Sequence, residues 1–421
     1  MAISAHLEFQ PENEGDGHLI AALQVKGDQG AWLAMVSKLL TFPRVMFCLY
    51  ASCAAPLLHI CEAPNFIIDL AGDTSRGKTT ALEIAASCWG LPAGHQGGLV
   101  KSWNVTKVFA ERYSSLFNDL PIFLDDSQTA DARTVAGVLY MVANGIGRGR
   151  GAAKGGVQKV THWRTICFST GEQPLTSNTE FGGARARVLT LWGSPFGDAP
   201  RGELVREVKA TLARHYGHGA YQVVNELIRL RQAGQWDQLL ELYLARVQQL
   251  ATRFPGNVAD RLSRYVALVW VAGDLVHQVL EIPGDPEAAV MSIMREVAGE
   301  LEEGDYATRA LDAVRAWAQA NITQFYGKDD SLRPPSRYLG VWRDAEYDDP
   351  RFVALYPHEL KKFLVDQGFS YDAVVRQWRD REWIKTQSGR STFMVRVRDD
   401  TSRMIMIPLP IWRPPTATAE T

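Results

Sequence analysis

Cysteine is scarce: the 421 residues hold five, Cys48, Cys53, Cys61, Cys88 and Cys167. Their number is odd and none share C-x-x-C spacing, which excludes a disulfide framework and a cysteine-built zinc site. Reduced thiols in a cytoplasmic protein are expected instead. Long apolar runs are lacking too. The best, Val45 to Cys61, contains Ser52, Pro56 and His59 and abuts Arg44. It is too short and too polar for a comfortable membrane span and reads as a core helix. The opening MAISAHLEFQ has no basic stretch followed by an apolar one, so no signal peptide is expected. Charge of one sign is not in excess either. The formal net charge is −2, so nucleic acid would have to be held by a local patch. No internal repeat is present. What remains, 46% hydrophobic and 22% charged, is an ordinary globular composition.

Residues 66–90, FIIDLAGDTSRGKTTALEIAASCWG, carry the most information. Gly72, Gly77, Lys78 and Thr79 fit G-x-x-x-x-G-K-[ST], a phosphate-binding loop. An apolar strand, Phe66 to Leu70, leads in, and an alanine-rich helix, Thr80 to Cys88, leads out. The glycines let consecutive N–H groups of Gly72, Asp73, Thr74, Ser75, Arg76, Gly77, Lys78, Thr79 and Thr80 point at phosphate oxygens. The helix N-terminus adds partial positive charge. Lys78 reaches the β- and γ-phosphates and Thr79 ligates magnesium, so ATP and Mg2+ are the expected ligands.

Along the chain, residues 1–61 read as a polar lead-in followed by helices. Residues 62–198 alternate helices with strands at Phe66–Leu70, Pro121–Asp125, Thr165–Thr170 and Arg187–Trp192. That alternation predicts an α/β core with a parallel sheet. Residues 199–327 read as a helical domain, and 328–350, rich in proline and aspartate, as a linker. In 351–413, helices at Pro357–Gln367 and Ser370–Arg381 precede strands at Thr392–Val397 and Met404–Ile407, the order of a winged-helix-like module. Residues 414–421 read as a disordered tail.

Within the α/β region, PIFLDDS places Asp125 and Asp126 at a strand end. Asp125 is expected to hold magnesium and Asp126 to orient the attacking water. At the tip of the next strand, in STGE, Ser169 or Thr170 is the candidate for contact with the γ-phosphate or the water. In FGGARARVLTLW, Arg185 or Arg187 is placed to complete a neighbour's site in a ring. Between them, ANGIGRGRGAAKGGVQKVTHWRT interleaves glycines with Arg148, Arg150, Lys154 and Lys159. Such a hairpin supplies phosphate contacts without reading bases, which fits single-stranded DNA.

These blocks, together with KSWNVT, YMVANGIGRGR, HWRTICFSTGE and the later RYVALVWVAGDL, resemble the DUF927-type helicase-like ATPases of prophages and mobile genetic elements. That family is similar to superfamily 3 and MCM-like AAA+ helicases, and the resemblance covers roughly residues 29–410. It implies an AAA+ P-loop NTPase core with flanking helical regions and a C-terminal winged-helix-like module. It further implies Lys78 and Thr79 as the Walker A pair, Asp125 as the magnesium residue, sensor 1 in STGE, Arg187 as the arginine before the last core strand, and the glycine hairpin on DNA. The family's usual LDE is here Leu124-Asp125-Asp126, with a shorter second acid. Many relatives carry a primase-like region ahead of this one, so a separate primase or replication partner is expected. The function expected is an ATP-dependent DNA helicase or translocase acting as a hexameric ring on single-stranded or forked DNA, with no membrane partner. The rivals are a DNA-loading ATPase that does not unwind, a small-molecule kinase, and a ring ATPase of a defence system.

Overall fold

The computed structural model describes residues 14–413 apart from 75, 94–96, 150–155, 157–159, 179–186, 198, 200, 256, 304–305, 329–336, 346–349, 368, 370, 388–389 and 398–399. Ser75, Arg150, Lys154, Lys159, Arg185 and Ser370, all singled out above, lie outside the described residues. The chain forms two compact units, Met1–Gly299 and Glu300–Thr421.

In the first unit, α1 (Glu14–Ile20), α2 (Gln29–Ser37), α3 (Pro43–Ala54) and α4 (Leu57–Ile60) precede β1 (Phe66–Ala71). Then come α5 (Lys78–Ser87), β2 (Val100–Ser102), α6 (Lys107–Leu116), β3 (Ile122–Asp125), α7 (Ala132–Asn144), β4 (Ile166–Gly171) and β5 (Val188–Trp192). Helices α8 (Gly202–Leu212), α9 (His218–Gln232), α10 (Trp236–Arg253), α11 (Asn257–Leu280) and α12 (Glu287–Glu303) follow. Local chemistry sets several starts. Asp28 caps α2 by accepting from Ala31 N–H at 2.7 Å, Thr106 caps α6 and Asp131 caps α7.

The strands make one parallel sheet in the order β2-β3-β4-β1-β5. Every residue of β1 is buried, which is why it reads as a near-continuous apolar run. The chain leaves β1 for the far edge at β2 and returns beside β1 as β4. The carboxyl ends of β1, β4 and β3 therefore lie side by side at a switch in strand order, where open α/β sheets bind ligands.

Helix α3 is buried from Val45 to Ala54 and packs on α5 and α11, so most of the run Val45 to Cys61 lies in the core, with His59 exposed. One apolar core holds Trp32, Phe47, Phe66, Trp103, Trp270 and Met294 alike. The borders expected at 61/62 and 198/199 thus mark no break between cores. Among the described residues no helix is long and apolar enough to cross a membrane, and all five cysteines are buried thiols.

The second unit comprises α13 (Tyr306–Ala320), β6 (Phe325–Tyr326), β7 (Gly340–Arg343), β8 (Phe352–Leu355), α14 (Pro357–Asp366), α15 (Tyr371–Asp380), β9 (Phe393–Val397), β10 (Asp400–Pro408) and α16 (Leu409–Trp412). Its sheet runs β6-β7-β8-β10-β9, antiparallel except between β6 and β7. Two corrections follow. The stretch 328–350 is not simply a linker, because Gly340–Arg343 pairs with β8. The helical domain does not extend to 327, because α13 buries Ala307, Leu311, Val314 and Ala318 in the second unit's core. The Trp378 indole donates to Ala307 O at 2.9 Å, and Trp317 stacks on Phe363 at 4.7 Å.

Asp69 is a carboxyl buried at mid-strand in β1. It accepts from Leu175 N–H at 2.8 Å and from the Thr190 hydroxyl at 3.4 Å. Burial pushes its pKa up to about 7, although the Leu175 N–H and the Thr190 and Ser169 hydroxyls pull the other way. The folded state therefore binds a proton that the unfolded chain has released between about pH 4 and 7. This contribution is present in full below the unfolded pKa and is lost as pH rises through about 7. Asp69→Asn keeps an acceptor without the charge. We predict that the variant gains about 2 kcal/mol over the wild type between pH 5 and pH 8, read from urea midpoints at both pH values. Parallel pH profiles for the two proteins would contradict it.

Candidate active site

Past β1 the backbone turns on Gly72, at φ +138°, whose N–H donates to Gly171 O at 3.2 Å. A Cβ on Gly72 would stand 3.1 Å from the Gly193 backbone. Gly77 starts α5 at φ +84°, and a Cβ there would lie 2.7 Å from the Phe196 ring. Both positions need glycine, for conformation and for space. Lys78 is buried at the first turn of α5, and its ammonium donates to Gly72 O at 2.7 Å and Asp73 O at 2.6 Å. Burial holds the ammonium below its ordinary pKa, while the carboxylates of Glu172, Asp73, Asp125 and Asp126 pull it back up. Asp73, Thr74 and Arg76 are exposed on the loop, whereas the Thr80 side chain is buried on the core side of α5.

The Thr79 hydroxyl lies 3.1 and 3.3 Å from the two carboxylate oxygens of Asp125 at the end of β3. The Thr170 hydroxyl, from the tip of β4, donates to the same carboxylate and accepts from Asp126 N–H at 2.9 Å. Thr170 is thus the hydroxyl brought to the acids. Ser169 points to the other face of the sheet, fully buried, and accepts from the Trp103 indole at 2.9 Å. Trp103 N–H also donates to Asp125 O at 2.9 Å, so the KSWNVT segment steadies β3. Asp126 adopts φ +61°, a left-handed conformation costly for a residue with a Cβ, and is exposed. The Thr79 hydroxyl and Asp125 carboxylate form a pair of hard oxygen donors that fits Mg2+ held chiefly by substrate phosphates and water. Among the described residues no cluster of three His, Cys, Asp or Glu could hold a metal.

Several supporting residues carry no motif. Ser194 donates to Arg76 O at 3.1 Å, and Phe196 packs against Gly77 and, edge to face, against Phe42 at 5.5 Å. Arg44 donates to Ser194 O at 3.0 Å and grips Glu296 of α12 through Nε at 2.9 and 3.1 Å. Gln128 donates to Glu172 Oε2 at 2.9 Å. Phase along a helix or strand does not single out any of these.

Arg187 is not brought to the loop. It precedes β5 at the opposite end of the sheet, its carbonyl accepting from Ile67 N–H at 2.8 Å. Its guanidinium donates to Ala143 O at 3.1 Å and to the Asn144 side chain, at the end of α7. There it lines an open cleft of about 490 Å³ with Arg164 and His59. The base of the glycine-rich segment lies next to it. Gly147 N–H donates to Thr161 O at 2.8 Å and Trp163 N–H to Gly145 O at 3.0 Å, closing its neck. Arg148 is exposed just beyond, its backbone N–H held by Glu111 at 3.2 Å.

Residues 9–162, which include the loop, β3 and the glycine-rich segment up to His162, match the family model described as a domain of unknown function, DUF927. The chain carries a DUF927 domain. Residues 305–411 match a second model, the Cch helix turn helix domain, and fall within the second unit. The chain shares its fold with a solved structure described as "SCCmec type IV Cch - active helicase". The TM-score is 0.71 at 21% identity, over 93% of this chain and 72% of that one. No curated protein matches the chain.

The crowding at Gly77 sets a test within the DUF927 domain. Gly77→Ala strains φ and drives Cβ into Phe196, so we predict a loss of roughly 1–3 kcal/mol in stability and weakened nucleotide binding. Gly97→Ala, at φ +77° with nothing within 4 Å, carries the backbone strain alone and keeps nucleotide affinity. Equal affinities for the two variants, in a fluorescent-nucleotide titration, would contradict the cradle.

Proposed function

We propose that this chain is an ATP-dependent DNA helicase or translocase of AAA+ type, serving a prophage or mobile element and acting as a hexameric ring on single-stranded or forked DNA. The observation that carries the reading is the convergence of Lys78, Thr79, Asp125 and Thr170 at the ends of β1, β3 and β4. The loop N–H groups and Lys78 would bind the β- and γ-phosphates, and Thr79 and Asp125 would hold Mg2+. The metal would supply neutralisation of charge on the phosphates. Thr170 orients the Asp125 carboxylate. Arg187, remote from its own loop, suits a role at a neighbour's site, and its cleft is a place for that neighbour to dock. The hairpin would carry DNA phosphates, with Arg148 as its described cation. The second unit reads as a winged-helix-like module, with exposed Arg376 and Arg379 on α15 as a second DNA surface.

The decisive assay is ATP hydrolysis by the purified full chain with and without single-stranded DNA, alongside native mass and strand separation on a fork. Lys78→Ala is expected to lower hydrolysis about 100-fold or more while circular dichroism stays native, because a preorganised cation over the phosphates is lost. Wild-type hydrolysis by this variant would overturn the phosphate-loop reading.

The DNA surface is tested separately. Replacing Arg148, Arg150 and Lys154 by alanine is expected to abolish DNA stimulation of hydrolysis. Each lost phosphate contact lowers the slope of log affinity against log salt by about 0.7, so three flatten it by roughly 2. If the slope instead falls in Arg376→Ala/Arg379→Ala and not in the hairpin variant, DNA is held mainly by the second unit.

A further inference from the structure

The acid expected to hold the attacking water is poorly disposed for it. Asp126 leaves the line of β3 at φ +61°, its side chain is exposed, and it is one methylene shorter than a glutamate. The tip of β4 brings a longer acid to the same place. β4 lies between β1 and β3, and its register with β1 sets Gly171 against Ala71. Gly171 O accepts from Gly72 N–H, the first amide of the phosphate loop, and Glu172 is the next residue. On the other side, the turn after β3 closes against this tip. A Cβ on Gly171 would stand 2.3 Å from the Ser127 hydroxyl, so the glycine leaves room for Ser127 to lie close. Gln128 then donates to Glu172 Oε2 at 2.9 Å, one of the two carboxylate oxygens. Glu172 is half-buried, and of the carboxylates acting on the Lys78 ammonium its influence is the largest.

We propose that Glu172, rather than Asp126, is the catalytic carboxylate that orients and deprotonates the lytic water, and that Gln128 is its positioning residue. The proposal rests on the ATPase reading above. In the step, the water oxygen bonds to the γ-phosphorus as the bond from that phosphorus to the β,γ-bridging oxygen breaks. The bridging oxygen leaves with the electron pair on ADP, and one water proton passes to the Glu172 carboxylate. The placement suits the chemistry. The acid flanks the loop that binds the phosphates, and its second oxygen is fixed by a neutral amide that does not compete for the proton.

The test uses the full chain with Mg2+ and two readouts: affinity for a fluorescent ATP analogue, and kcat with KM across pH. Glu172→Gln is expected to bind the analogue within about threefold of wild type and to lose at least about 100-fold in kcat. Asp126→Asn is expected to fall by about tenfold or less. Gln128→Ala is expected to lower kcat with KM nearly unchanged and to displace the acid limb of the kcat profile, which a merely structural residue would not do. Retained analogue binding certifies the fold of each variant. Loss of turnover in Asp126→Asn alongside or in place of Glu172→Gln overturns the assignment, as does loss of analogue binding in Glu172→Gln. Wild-type protein that binds the analogue but never hydrolyses ATP overturns the ATPase reading itself, a result distinct from any ranking of the variants.

Discussion

Parallel pairing of β1 with β4, Phe66 against Ile166 through Ala71 against Gly171, is the constraint on which the site depends. Strand neighbours share a face in alternation, so this register decides which side chains meet. With β3 paired on the other side of β4, Leu124 against Ser169, Thr170 lies beside Asp125 and Ser169 faces the opposite way, under Trp103. The register of β1 also sets Asp69 between Ser169 and Thr190. A slip of one residue would exchange the faces of Ser169 and Thr170. The acid on β3 would then lose the Thr170 hydroxyl, and Asp69 would lie opposite Phe168 or Thr170 instead of Ser169. The buried carboxyl is poor for stability at neutral pH, yet in this register it meets the Leu175 N–H and the Thr190 hydroxyl, bonds that a slip would have to rebuild.

Much of the first unit could be read from sequence because buried parallel strands are almost uninterrupted apolar runs. Phe66–Ala71, Ile122–Asp125, Ile166–Gly171 and Val188–Trp192 all fall within a residue or so of the runs that announced them. The three residues of β2, Val-Lys-Ser, are too short and too polar to stand out, and only pairing with β3 makes them a strand. In the second unit, Gly340–Arg343 is hidden among proline and aspartate because composition averages over its neighbours. The choice between Ser169 and Thr170 could not be made from sequence. Alternation says that they face opposite ways but not which way the acids lie.

The supporting shell around the loop was invisible for a different reason. Arg44, Ser194, Phe196 and Glu296 are scattered between α3, the segment after β5, and α12, and none belongs to a periodic pattern. Phe196 matters because Gly77 lacks a side chain. The bare glycine lets the ring approach, and the ring then limits how far the loop can move back. A sequence motif records the glycine but not what fills the space it leaves.

These contacts also explain why the two ends of the sheet differ. At the carboxyl end, the loop is fixed on several sides: Gly72 by Gly171, Arg76 by Ser194, Gly77 by Phe196, and Ser194 in turn by Arg44. Arg44 is shared with Glu296 through a bidentate, partly buried pair, so α12 cannot shift without loosening Ser194 or losing charge-assisted bonds. At the amino end, Arg187 is held by two acceptors at the end of α7, the helix that also leads into the neck of the hairpin. Displacing Arg187 toward another molecule would release Ala143 O and Asn144, next to Gly145, whose carbonyl closes that neck. The arginine and the neck of the hairpin therefore share one helix end, at the opposite end of the sheet from the phosphate loop.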